Sequence, residues 1–137
     1  MQSLESFFAK LHSYDLSALL LRLALGGLML MHGIHKLKNG IGGIEKMLVN
    51  NGLPEFMAYG TYIGEIFSPA LLILGLYTRL NALVIALTMV VAIYVAYGSK
   101  LLALTPQGGL LIELPLLFLV GAIALILMGG GKWGLSR

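Results

Sequence analysis

The sequence contains no cysteine, which removes disulfides, thiolate metal ligands, iron–sulfur clusters and a cysteine nucleophile together. Charge is scarce too: Asp, Glu, Lys and Arg make up 11% of the 137 residues, against roughly a quarter in an ordinary soluble domain. A soluble core must be wrapped in polar surface, and no polar stretch here is long enough to supply it. With 58% apolar residues and a mean hydropathy of +0.92, the solvent for most of this surface is lipid. The formal net charge of +3 comes from scattered Lys and Arg rather than a basic run interleaved with aromatics. It therefore points to lipid head groups and not to nucleic acid. A signal peptide would begin with basic residues and a short apolar run, but Glu5 precedes the first lysine and the run is of spanning length, so no cleaved targeting segment is expected.

What is present is apolar sequence in long windows. A bilayer core about 30 Å thick takes about 20 apolar helical residues, and four windows qualify, at about 15–37, 58–77, 80–98 and 110–128. The connections are too short to fold separately, so residues 1–137 are expected to form a single membrane domain, an all-α polytopic four-helix bundle. Leu4, Phe7, Phe8, Leu11 and Tyr14 recur at spacings of three and four, with Glu5, Lys10 and His12 off the stripe. This predicts a short interfacial amphipathic helix at about 3–13. Gly40, Gly42 and Gly43 break the first span; Ile44, Met47 and Leu48 share one side of a short turn; Pro54 suits the first turn of the next helix. The second and third spans join at Thr78-Arg79-Leu80-Asn81, which makes them antiparallel neighbours. Gly129 to Gly131 end the last span before a tail in which Trp133 is placed as an interface anchor.

Four spans put Lys10, Arg79, Lys132 and Arg137 on one side and Lys36, Lys38, Lys46 and Lys100 on the other, a tie. Lys36 sits at a helix end and is read as snorkelling, which tips both termini toward the cytoplasm. The expected location is a bacterial or archaeal inner membrane.

An ionisable group inside a span costs about 2.5–3.5 kcal/mol at the bilayer centre, so such groups are functional candidates. They are Arg22, His32 and His35 in the first span, Glu65 in the second and Glu113 in the fourth. Counting about 1.5 Å per residue, His32, Glu65 and Glu113 fall in one layer and Arg22 in another, about 10 to 15 Å away. The boundaries leave a direct Arg22–Glu65 bridge open. Arg22 either snorkels or faces inward; Glu65 and Glu113, two carboxylates at one depth, favour a polar pocket. At 100° per residue Arg22, Gly26, Met29, Gly33 and Lys36 share one face, with His32 at its flank and His35 turned away. Gly26 and Gly33 would let a neighbouring helix or a flat ligand come close. Tyr62 stands one turn before Glu65 on the same side.

One His and two carboxylates can hold a metal, but no Glu-x-x-His pair occurs on a helix, and no metal is expected. The glycine-rich stretches lack the spacing and lysine of a phosphate loop, and no serine has nucleophile-elbow flanks, which excludes nucleotide and hydrolase readings.

The run Arg22-Leu23-Ala24-Leu25-Gly26-Gly27-Leu28-Met29-Leu30-Met31-His32-Gly33-Ile34-His35-Lys36-Leu37 resembles the opening of DoxX-type membrane proteins. So do Asn51-Gly52-Leu53-Pro54, the stretch from Gly64-Glu65-Ile66-Phe67-Ser68-Pro69 to Arg79, and a glutamate early in the last span, Glu113. The tail after Gly131 lacks the acidic residue that pattern carries. The resemblance implies a four-helix inner-membrane protein, with relatives linked to thiosulfate and quinone oxidoreduction or to complexes answering redox stress, some of them dependent on a separate partner subunit.

Two functions follow. The first is a quinone-interacting subunit of a membrane oxidoreductase: Glu65 relays protons, Arg22 or His32 orients a carbonyl oxygen, and Tyr62 and Glu113 line the pocket, with quinone as the cofactor and an oxidoreductase subunit as partner. The second is a non-enzymatic bundle, either a small-solute or proton-coupled carrier or an assembly scaffold, completed in some forms by homo-oligomerisation.

Overall fold

The computed structural model describes residues 2–11 and 13–135; His12, placed off the amphipathic stripe above, and Arg137, which enters the charge count, lie outside the described residues. The architecture is all-helical: α1 (Gln2–Ala9), α2 (Tyr14–Asn39), α3 (Gly42–Asn50), α4 (Glu55–Leu74), α5 (Thr78–Tyr97) and α6 (Glu113–Met128). Among the described residues an isolated bridge between Leu104 and Leu110 is the extent of β pairing.

Length and hydropathy make α2, α4 and α5 sufficient to cross a membrane, whereas α6 has 16 residues and is shorter. α6 starts three residues later than the fourth window, at about 110–128, because Leu110 to Ile112 belong to the preceding loop. That loop is held by Thr105 N–H on the Gly109 carbonyl (2.6 Å) and Leu111 N–H on the Ala103 carbonyl (3.0 Å). α1 buries none of its residues and exposes Leu4, Phe7 and Phe8.

Helix ends follow local chemistry. Ser13 caps α2 by accepting from Leu16 N–H, and Gly40, at φ 82°, ends it. The turn between α4 and α5 is Gly75-Leu76-Tyr77, three residues ahead of the polar cluster at Thr78 to Asn81. Gly75 takes the left-handed conformation (φ 75°, ψ 28°) that stops α4. Asn81 then works from within α5, its amide donating to the carbonyls of Leu76 (2.8 Å) and Tyr77 (3.1 Å).

α4 is irregular. It opens as a 3-10 turn over Glu55–Tyr59 after Pro54, becomes α over Gly60–Tyr62, widens to π over Ile63–Phe67 and returns to α at Ser68. The cause is Pro69, which has no N–H for the Glu65 carbonyl and whose ring crowds it. The ladder slips by one residue, and Ser68 N–H donates to the Ile63 carbonyl instead. The released Glu65 carbonyl lies against Gly33 of α2, so close that a Cβ at Gly33 would overlap it.

The core joins Leu25 and Met29 of α2, Leu72 of α4, Ala82, Ile85, Ala86 and Met89 of α5, and Phe118, Ala122 and Leu125 of α6. A second cluster, Ile41, Leu48 and Ala58 with Tyr62 and Val95 against it, seats α3 on the end of the bundle. The outward faces carry exposed Leu20, Met31, Phe67, Leu83, Leu87, Leu117 and Leu127. Apolar surface on every helix is what a lipid-facing exterior requires and what a water-soluble one avoids.

Candidate functional site

α2 and α4 run antiparallel, and the glycine face of α2 fixes how close they come. Gly26 faces Ile73 and the Pro69 carbonyl, Gly33 faces Glu65, and on the other flank of α4 Gly64 meets the side chain of Thr88 on α5. Only residues without a Cβ permit this approach, the close packing that small residues give membrane helices.

Two cations of α2 lie on this interface. At one end Arg22 is 1% exposed. Its Nε donates to the Leu72 carbonyl (3.1 Å), Nη2 to the Ile73 carbonyl (3.1 Å), and Nη1 to the carbonyls of Gly130 and Trp133 (3.0 Å each). Four of the five guanidinium N–H groups thus take carbonyls, those of Leu72 and Ile73 in the last turn of α4, of Gly130 just past α6 and of Trp133 in the tail. The same node draws in the tail: Leu135 N–H donates to the Leu74 carbonyl (3.1 Å) and Lys132 N–H to Asp15 Oδ1 (2.9 Å). A shallow recess of about 400 Å³ beside it is lined by Leu19, Arg22, Lys132 and Trp133.

At the other end Lys36 Nζ lies 2.5 Å from Glu65 Oε2, with the Glu65 side chain 4% exposed and that of Lys36 30%. The bridge left open between Arg22 and Glu65 is not made; each group is satisfied by another partner. Lys36, read from its position as a snorkelling residue, is the one that reaches the buried carboxylate. Its membership of the Arg22, Gly26, Gly33 face was the available signal.

The Lys36–Glu65 pair forms one wall of a cavity of about 820 Å³ between α2, α3, α4, α5 and α6. His32, Tyr59, Thr61 and Thr88 add polar groups; Met29, Met47, Met57, Met89, Leu48 and Phe118 supply apolar wall. Exposed Ile63 of α4 and exposed Leu87 of α5 also border it, so the cavity communicates with the outer, lipid-facing surface between those helices. Thr88 is already committed, its hydroxyl donating to the Val84 carbonyl (2.8 Å). The ring of His32 meets Phe118 edge-on at 5.8 Å.

Of the six residues singled out from the sequence, Glu65 and His32 line this cavity. Arg22 is at the opposite end. Tyr62 does not line it: the 3-10 and π turns flanking it break the 100° step that placed it beside Glu65. It packs instead on the α3 cluster, its ring 6.4 Å from that of Tyr59, which takes the cavity position. Glu113 is exposed, its carboxylate folded over Gly109, while Leu114, Pro115 and Phe118 of the same helix reach the cavity. His32, Glu65 and Glu113 are therefore not gathered into one ligand set. His35 faces away and is bonded to Asn39, whose amide donates to its backbone carbonyl at 2.9 Å.

Apolar spanning helices, a lipid-facing exterior and a cavity with a partly buried ion pair define an integral membrane protein. The DoxX family model matches residues 17–98, the stretch that holds Arg22, His32, Lys36, Glu65 and Pro69, and the chain belongs to the DoxX family. It is similar to Putative oxidoreductase CatD of Bacillus subtilis, 36% identical over 59% of this chain and 60% of that protein. It is also similar to Uncharacterized membrane protein Rv3486 of Mycobacterium tuberculosis, 33% identical over 88% of this chain and 80% of that one. The match to the first relative thus spans about three fifths of its length. No solved structure matches significantly.

Proposed function

We propose that this DoxX-family protein is a quinone-interacting membrane subunit of an oxidoreductase complex, with its head-group site at Lys36 and Glu65. The observation that carries the reading is a largely apolar cavity with the Lys36–Glu65 ion pair in its wall, since a few polar groups in an apolar pocket are how such pockets orient a hydrophobic ligand. A quinone needs apolar contacts for its ring and tail, a hydrogen-bond donor for a carbonyl oxygen and a proton source at depth. In this reading His32 donates to the carbonyl, Glu65 passes the proton, Lys36 holds Glu65 in place, and the tail leaves past Ile63 and Leu87 into lipid. Electrons come from a partner redox subunit; the name of the Bacillus relative points in the same direction. Arg22 serves the frame rather than the chemistry, because its donors are spent on helix ends. The same proposal has α6 crossing the inner membrane as a fourth span, α1 lying at the interface and both termini in the cytoplasm.

The test is binding of a short-chain quinone to purified protein in nonionic detergent or nanodiscs, together with turnover of the assembled complex. Saturable binding that weakens in Glu65→Gln supports the reading; no binding by wild type, with turnover unchanged in Glu65→Gln, overturns it. A second reading, a proton-coupled carrier, draws support from the broken regularity of α4 beside the cavity. Liposome uptake driven by a pH gradient and abolished by Glu65→Ala would favour it.

A further inference from the structure

Lys36 and Glu65 are the charged side chains in the lining of the large cavity, and they neutralise each other. An anion entering the cavity would have to displace from Lys36 a carboxylate that is tethered to α4 and held at high effective concentration. An entering cation finds Glu65 already paired. An uncharged amphiphile breaks nothing: its body takes the Met29, Met89 and Phe118 walls, and its hydroxyl or carbonyl takes the edge of the pair.

We propose that the Lys36–Glu65 pair makes the cavity selective for uncharged amphiphiles, and that Lys36 is a latent anion site kept filled by Glu65. The selectivity is negative as well as positive, because the wrong ligand is rejected through the cost of leaving a buried charge without its partner. Glu65 holds its place through backbone as much as side chain, since its carbonyl, freed by Pro69, is wedged on Gly33. The inference rests on the cavity being a ligand site, not on the ligand being a quinone.

It is tested with two probes of one chain length, an alkyl alcohol and an alkyl sulfonate, the second anionic at every working pH. Binding to the full chain in nonionic detergent is read by ligand-dependent melting and by native mass spectrometry. Wild type should bind the alcohol at least about tenfold more tightly than the sulfonate. Glu65→Gln uncovers Lys36 and should reverse that order; Lys36→Met/Glu65→Gln should restore it. The exchanged pair Lys36→Glu/Glu65→Lys, neutral overall, should behave as wild type; if Glu65→Gln does not fold, Glu65→Ala, which also leaves Lys36 without its carboxylate, takes its place. Equal affinity of wild type for both probes overturns the inference, as does a folded Glu65→Gln that gains nothing for the sulfonate, or binding of neither probe. The reversal seen without quinone binding would sink the quinone reading alone. Quinone binding with no discrimination between the probes would sink this one alone.

Discussion

Arg22 and Lys36 stand on one face of α2, fourteen residues apart or about 21 Å, both against α4, and they meet different partners. Arg22 is closed in by four carbonyls, two in the last turn of α4, one just past α6 and one in the tail, which it thereby ties down. Lys36 reaches a single carboxylate at the wall of a cavity and keeps part of its side chain exposed. The planar fork of arginine suits the first task and the flexible ammonium the second. A buried charge with four donors spent on backbone is holding a fold together, whereas one with a single partner beside open volume is available for chemistry.

The comparison is broken most severely at Arg22. Arg22→Ala leaves several carbonyls at the ends of α4 and α6 without donors, and we expect a loss of about 4 kcal/mol or more, read as a large fall in melting temperature or failure to accumulate. Arg22→Lys, with a point charge in place of the fork, should recover part of it. If Arg22→Lys kept wild-type stability but lost quinone binding, the frame role assigned to Arg22 would be wrong.

Next comes Gly33→Ala. Its Cβ would overlap the Glu65 backbone, which cannot give way as a side chain can, so a loss of about 2 to 3 kcal/mol is expected, together with weaker ligand binding. Gly26→Ala meets the side chain of Ile73 and a carbonyl at longer range and should cost less. Melting curves of the two variants side by side check the order.

At the Lys36 end, Lys36→Met leaves a carboxylate buried without its cation. Discounted for the partial exposure of Lys36, the cost should be about 2 kcal/mol, with Lys36→Met/Glu65→Gln more stable than Lys36→Met alone. A double-mutant cycle on melting reads the coupling.

The smallest effect is at the surface. A hydrogen bond with Glu55, then desolvation and the repulsion between the two carboxylates, raise the Glu45 carboxyl above its ordinary range. The folded state therefore binds this proton more tightly than the unfolded chain, so its contribution is present at low pH and lost as pH rises through the raised pKa. Acidification should steady the junction of α3 and α4 in wild type, and Glu45→Gln should remove that component of the pH dependence of melting.

Much of the frame was legible because it follows from apolar run length and from glycine spacing. The 100° step puts Gly26, Gly33 and Lys36 on one face, and that face does meet α4. The ends were harder. Thr78 to Asn81 read as a loop because they are polar, but Gly75 stops α4 first and Asn81 caps backward from inside α5. Tyr62 falls off the side of Glu65 because a helical wheel assumes a regular step, and Pro69 makes α4 irregular from Ile63, six residues ahead of the proline. Lys36 was discounted because a lysine at the end of an apolar window commonly snorkels; its partner lies 29 residues away, beyond what local pattern reveals. The tail's attachment through Arg22 spans more than a hundred residues and has no periodic signature at all.

The most direct measurement is photolabelling with an azido-quinone in membranes containing the protein, followed by peptide mapping. Labelling of α4 and α5 around Ile63 and Leu87, suppressed by excess short-chain quinone and weakened in Glu65→Gln, is the predicted result. Labelling of Lys132 to Leu135 beside Arg22, or labelling that excess quinone does not suppress, would contradict the assignment of the ligand site to the Lys36 end of α2.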